Sequence, residues 1–230
     1  MSIITNRFIQ SKKSKRKRSF EPLERSEKKA NLDLEEDWDL EIPLAKPKIN
    51  VVDYDSCLIG SSMIKDIDSK LVFPNSKRCF FKSISGGKIK DVYNFLKNRE
   101  NLLKNSKYFI VTCGSNDCDS LSDIKDVLND YLEMALYLKN TFNTSCLIFN
   151  KLIPRTKCRY VSLLDFEKRR NCFNTFLEII VPLTVSDCII VDHLAFEMKT
   201  DLNDLLLDGV HISPLKGLPI YIEQIKNKLK

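Results

Sequence analysis

The sequence predicts an α/β fold: a three-layer α/β/α sandwich around a mainly parallel, five-stranded sheet. Three observations carry this expectation. From Pro47 onward, short apolar runs alternate with segments of helical period. The apolar runs are stopped by glycine or turn residues, as at Gly60 and Gly114. A chain of 230 residues with 43% hydrophobic residues holds one good-sized domain with a real core, plus a tail.

The elements follow in order. Ser56-Cys57-Leu58-Ile59 reads as the first strand, ending at Gly60, with Ile49-Asn50-Val51-Val52 extending it or leading into it. Cys79-Phe80-Phe81 is the second strand, before the turn Ser85-Gly86-Gly87. Ile89, Val92, Phe95 and Leu96 recur at helical spacing. Tyr108 to Cys113 is a buried strand stopped by Gly114. A long helix follows, with Leu121, Ile124, Val127, Leu128, Tyr131, Leu132, Ala135 and Leu136 on one face. Ser145 to Phe149 is the fourth strand, running towards Pro154. Residues 161–180 read as a second long helix, Cys188 to Val191 as the last strand, and 214–229 as the closing helix.

Residues 1–45 are polar and charged with few periodic apolar positions, which predicts a disordered tail ahead of a domain over 46–230. The net charge of +6 owes much to Lys12, Lys13, Lys15, Arg16, Lys17 and Arg18. That run reads as a nuclear localisation signal read by an import receptor, as a nucleic-acid-binding arm, or as a solvated tail with no address. An acidic segment follows it around Trp38, the single tryptophan, which either docks a partner or packs back on the domain. The eight cysteines form no Cys-x-x-Cys pair, and several lie in apolar runs, so they read as buried, reduced thiols of an intracellular protein. No zinc spacing, signal peptide or membrane-length apolar run is present, and a cytoplasmic or nuclear protein is expected.

In parallel α/β folds, ligands bind beyond the carboxyl ends of the strands. The residues there are Gly60-Ser61-Ser62, then Gly86, then Gly114-Ser115-Asn116-Asp117, and after the fifth strand Asp208-Gly209-Val210-His211. Each alone is ordinary: serine caps helices, glycine serves turns, and Asn-Asp is common in loops. The chain has only two histidines, His193 and His211, so imidazole chemistry is confined to two positions. An Asp-x-x-His pair in one loop lets the carboxylate fix the ring's tautomer while the other nitrogen faces a nucleophile.

In this order the four blocks resemble the SGNH, or GDSL-type, hydrolases, over about residue 48 to the C-terminus. The resemblance implies the flavodoxin-like fold of that family. It also implies a Ser62-His211-Asp208 triad and an oxyanion hole made by the Ser62 and Gly86 amides and the Asn116 side chain. Pro154-Arg155 and Asn174 agree as flanking residues. Within the family the chain most resembles the compact SGNH-like domains of invertebrate retroelement proteins.

One departure stands out: the family's Gly-Asp-Ser block has Ser61 in place of the aspartate. The alternative alignment Tyr54-Asp55-Ser56 keeps Asp-Ser and makes Ser56 the nucleophile, but Gly60 and the apolar run before it favour Ser62. The implied activity is a serine esterase or acetylhydrolase on small O-acyl or lipid esters, with no cofactor and no metal. The competing function is a non-catalytic module binding RNA, as in the OSK-type germ-plasm domain that resembles this family. A third combines an esterase domain with a nucleic-acid-binding tail. His193 is expected to be a surface or packing residue, and Cys118 to line the pocket. Ser62 is expected at the N-terminus of a helix, whose dipole would favour the developing negative charge.

Overall fold

The computed structural model describes residues 53–229. The tail over 1–45, its basic run, Trp38 and the Ile49–Val52 segment lie outside the described residues.

Five strands form one parallel sheet in the order β2-β1-β3-β4-β5: β1 Ser56–Ser61, β2 Cys79–Ile84, β3 Tyr108–Thr112, β4 Cys146–Asn150 and β5 Cys188–Val191. The helices are α1 Ser69–Val72, α2 Ile89–Lys97, α3 Glu100–Leu103, α4 Ser115–Cys118, α5 Ile124–Thr141, α6 Leu163–Thr184, α7 Leu194–Glu197 and α8 Gly217–Lys228.

Side chains alternate across each strand, and this divides the core into two layers. Cys57, Ile59, Phe109, Val111, Leu147 and Phe149 pack with α2, α5 and α6 on one face. Leu58, Ile110 and Ile148 pack with α1, α7 and α8 on the other. Both faces are therefore covered, which is why the strands read as continuous apolar runs. The expected α/β/α architecture is the one observed.

Several boundaries differ from those the sequence suggests, each for a local reason. β1 continues past Gly60 to Ser61, because the β2 register runs on to pair Ser61 with Ile84. Leu121 is 85% exposed and precedes α5, which begins at Ile124 after Asp123 accepts a hydrogen bond from the Lys125 amide. The one-turn helices α1, α3, α4 and α7 are too short to show a period. The eight cysteines are free, but only Cys57, Cys113 and Cys118 are fully buried and Cys172 is exposed.

The strand order reverses direction between β1 and β3: β2 lies to one side of β1, and β3 to β5 follow on the other. A crevice opens at such a switch point, beyond the carboxyl ends of the strands. Ser62 follows β1 and Asn116 follows β3, so both stand at that crevice.

Candidate active site

Gly60 lets β1 run tightly against β3. A Cβ there would lie 2.2 Å from the Thr112 carbonyl oxygen, so no larger residue fits without moving the strands. Beyond it, Ser62 opens a single 3₁₀ turn over Ser62–Ile64, anchored by buried Met63 and Ile64. This corrects the expectation of a helix N-terminus behind Ser62, because one 3₁₀ turn carries little aligned dipole.

The Asp208–His211 loop is built by its own hydrogen bonds. Asp208 Oδ1 accepts from the Val210 amide at 3.0 Å and the His211 amide at 2.8 Å. Gly209 takes a left-handed φ of +81°, and its carbonyl accepts from the Thr156 amide at 3.0 Å. The loop closes through the Leu206–Ile212 bridge.

Two side-chain contacts complete the arrangement. His211 Nδ1 lies 2.8 Å from Asp208 Oδ2, and His211 Nε2 lies 3.0 Å from Ser62 Oγ. The slight burial of Asp208 pulls its pKa up, but the His211 amide, the His211 ring and the Val210 amide outweigh it and hold the carboxyl down at about 2. An ionised Asp208 accepts the Nδ1 proton, which leaves Nε2 as the acceptor facing the Ser62 hydroxyl.

Across the crevice, Gly86 turns the chain after β2 with φ +64°. Asn116 stands in α4, entered through Gly114 at φ +111°. Its Nδ2 donates to the Gly87 carbonyl at 3.0 Å, which ties the Asn116 amide to the Gly86 turn. Its Oδ1 accepts from Arg155 Nη2 at 3.0 Å, while Arg155 Nη1 donates to Asp119 Oδ2 at 3.2 Å. Asp119 also accepts from the Arg159 and Tyr160 amides. Arg155 and Asp119 are both buried.

In the sequence Arg155 and Asn174 stand only as flanking agreement, and Asp119 carries no signal of its own. Their work is architectural. The Asn174 side chain accepts from the Leu152 amide at 2.7 Å and donates to the Leu152 carbonyl at 2.9 Å, so α6 clamps the segment that delivers Arg155. Arg170 adds a further hydrogen bond to the same carbonyl. A Pro-Arg dipeptide after a strand was the available signal, but its partner Asn116 is 39 residues away.

A cavity of about 610 Å³ gathers Ser62, Gly86, Asn116, Arg155, Asp208 and His211 around one cleft. The structure thus brings Ser62, Gly86, Asn116, Asp208 and His211 together around one cleft. Ser56 is elsewhere. It begins β1, is buried, and shares a hydrogen bond with Ser76 Oγ at 2.7 Å beside a different cavity, with neither histidine near it.

His193 proves to be a core residue, not a surface one. It is 3% exposed, its ring stacks on Tyr221 with centroids 4.0 Å apart, and Nε2 lies 3.0 Å from Asn150 Oδ1. Cys118 does not line the cleft. It faces the core from α4, and burial pushes its thiol up to about 12, so it is no nucleophile. Cys158 is the cysteine at the cavity wall.

No family model matches the sequence, and no curated protein matches it. The fold is similar to that of a candidate acylhydrolase from Bacteroides fragilis, at 16% identity, covering 84% of this chain and 97% of that one, with a TM-score of 0.64. A GDSL-like lipase from Bacteroides thetaiotaomicron gives 16% identity over 75% and 85%, with a TM-score of 0.61. A lipase/acylhydrolase from Enterococcus faecalis gives 14% over 76% and 94%, with a TM-score of 0.57. At these identities the likeness is one of fold: the chain has the fold of GDSL-like lipases and acylhydrolases.

Proposed function

We propose that this chain is a serine ester hydrolase acting on small O-acyl or lipid esters. The observation that carries the reading is the hydrogen-bonded series from Asp208 through His211 to Ser62, opening on the cleft. Ser62 Oγ attacks the ester carbonyl and His211 Nε2 takes its proton. Asp208 holds the ring and stabilises the imidazolium. The Ser62 and Gly86 amides and Asn116 Nδ2 stabilise the oxyanion. His211 then gives its proton to the departing alcohol, and water attacks the acyl-enzyme by the same route in reverse. The reading calls for no metal or organic cofactor. Ser61 stands where the family has aspartate, and the Ser62–His211 contact forms with serine there.

A fluorophosphonate probe tests the reading directly. Stoichiometric labelling mapped by mass spectrometry to Ser62, and lost when His211 is replaced by Ala, is the expected result. A folded protein that takes up no probe contradicts it.

The run Lys12 to Arg18 we assign to nucleic acid or an import receptor, on its six cations in seven residues. Removal of residues 1–45 should then abolish salt-dependent RNA binding or nuclear import. Retention of both after the removal contradicts the assignment.

A further inference from the structure

The cavity around Ser62 is lined by four cations, Lys88, Arg155, Lys157 and Arg159, and by two carboxylates, Asp119 and Asp208. Both carboxylates are engaged. Asp119 binds Arg155 and two backbone amides, and Asp208 binds the His211 ring and two more. Arg155 is consumed in the same network. Lys88 interacts with the Asp117 carboxylate, whereas Lys157 and Arg159 are exposed and form no ion pair among the described residues. Other surface lysines do find carboxylates, as in Lys90–Asp130 and Lys216–Asp204. Uncompensated charge of one sign at the walls of a cleft focuses its field into the cleft and draws in ligands of opposite sign.

The placement of Lys157 says which part of a ligand meets that field. The Thr156 amide donates to the Gly209 carbonyl at 3.0 Å, and a Cβ on Gly209 would lie 3.0 Å from the Lys157 Cβ. Lys157 therefore flanks the loop that carries His211. In ester hydrolysis His211 returns its proton to the leaving alcohol, so the alcohol lies on that side of the cleft. Arg159 follows two residues later, with its guanidinium over the half-exposed Tyr160 ring at 5.2 Å.

We infer that the preferred substrates are esters whose alcohol moiety carries an acidic group (carboxylate, phosphate or sulfate) recognised by Lys157 and Arg159. This rests on the ester-hydrolase reading and adds the charge of the substrate to it. A cleft of about 610 Å³ suits a small molecule. A nucleic-acid strand calls instead for an extended groove along several phosphates.

The test compares 4-acetoxybenzoate with the neutral 4-acetoxybenzamide, using the full chain and the Lys157→Gln/Arg159→Gln double variant. Dividing by the variant's ratio cancels the intrinsic reactivity of the two esters. The ratio of kcat/KM, acid over neutral, should fall on the order of tenfold in the variant, and in wild type at roughly 0.5 M salt. A ratio unchanged within roughly twofold, with both esters turned over, overturns the inference and leaves the esterase reading standing. No turnover of either ester by folded wild type overturns both. Short-chain acylglycerol phosphate in solution and its long-chain counterpart in phosphatidylcholine vesicles separate the two sources of the anion. Preference over the phosphate-free ester in either form supports the inference. Single-stranded RNA that shields Ser62 from the phosphonate, with no preference for the acidic ester, would assign these cations to nucleic acid and overturn it.

Discussion

Arg155 Nη2 donates to Asn116 Oδ1 at 3.0 Å, and this contact fixes which end of the Asn116 amide meets the cleft. With the oxygen bound to a cation, the nitrogen is the end left for the Gly87 carbonyl and, in the proposed reaction, for the oxyanion. Burial pulls the Arg155 pKa down, and Asp119 opposes it. A guanidinium with 2% side-chain exposure is costly to bury unless its geometry is used.

Asn116→Ala should lower kcat by on the order of 10²–10³, the usual cost of one oxyanion donor. Arg155→Lys keeps the charge but cannot reach Asp119 and Asn116 together, so it should lower kcat by roughly tenfold with KM little changed. Steady-state kinetics on a simple aryl ester separate the two. Wild-type kcat in Arg155→Lys would contradict the positioning role.

His193 makes stability sensitive to acid. Burial, the largest cause, lowers its pKa from 6.5 to about 3, against smaller upward effects from Gln224 and Asp192. The fold holds the ring neutral while the unfolded chain protonates it. Its contribution is therefore complete above about pH 6.5 and is lost progressively as pH falls towards 3. Thermal melts of wild type should steepen downward across that window, on the order of a few kcal/mol in all. His193→Gln should be less stable at pH 7 but flatter in its pH dependence.

Asp117 works in the opposite direction. Burial, opposed by the Ile89 amide and Lys88, raises its pKa from 3.8 to about 6. Its Oδ2 accepts from the Ile89 amide at 3.1 Å, where α2 begins. The fold favours the protonated acid, so stability is greatest below about pH 4 for this group and falls as pH rises through 6. Asp117→Asn keeps an acceptor for Ile89 and carries no charge. Its unfolding free energy, followed by thermal melts, should gain on wild type between pH 4 and 7 by up to roughly 3 kcal/mol. A constant difference across that range would contradict the assignment.

Gly60→Ala should destabilise by about 1–3 kcal/mol or more, since the new methyl meets the Thr112 carbonyl at 2.2 Å on the partner strand. Because that carbonyl lies beside the strand end that carries Ser62, the proposed nucleophile, activity should fall with stability. Denaturant unfolding and ester turnover on the same samples check both.

The strand-end residues were legible because topology says where chemistry collects in a parallel sheet, and Ser62, Gly86, Asn116, Asp208 and His211 each follow a strand. The supporting network was not. Arg155, Asp119 and Asn174 gain their meaning from partners that only the fold brings close, such as Arg155 with Asn116 and Asn174 with Leu152. Cys118 misled because neighbouring Asn116 in sequence does not place it in the cleft: one helical turn points it into the core. Leu121 misled because its spacing matched a helix that Asp123 starts three residues later. His193 shows the limit of a two-histidine count, since only burial distinguishes a stacked core imidazole from one facing a serine.

Hydrolysis of p-nitrophenyl acetate by wild type, Ser62→Ala and Ser56→Ala tests the central claim most directly. Wild type should turn the ester over, Ser62→Ala should lose on the order of 10³-fold or more, and Ser56→Ala should stay active. Full activity in Ser62→Ala, or none in folded wild type on this and longer acyl esters, would contradict the account.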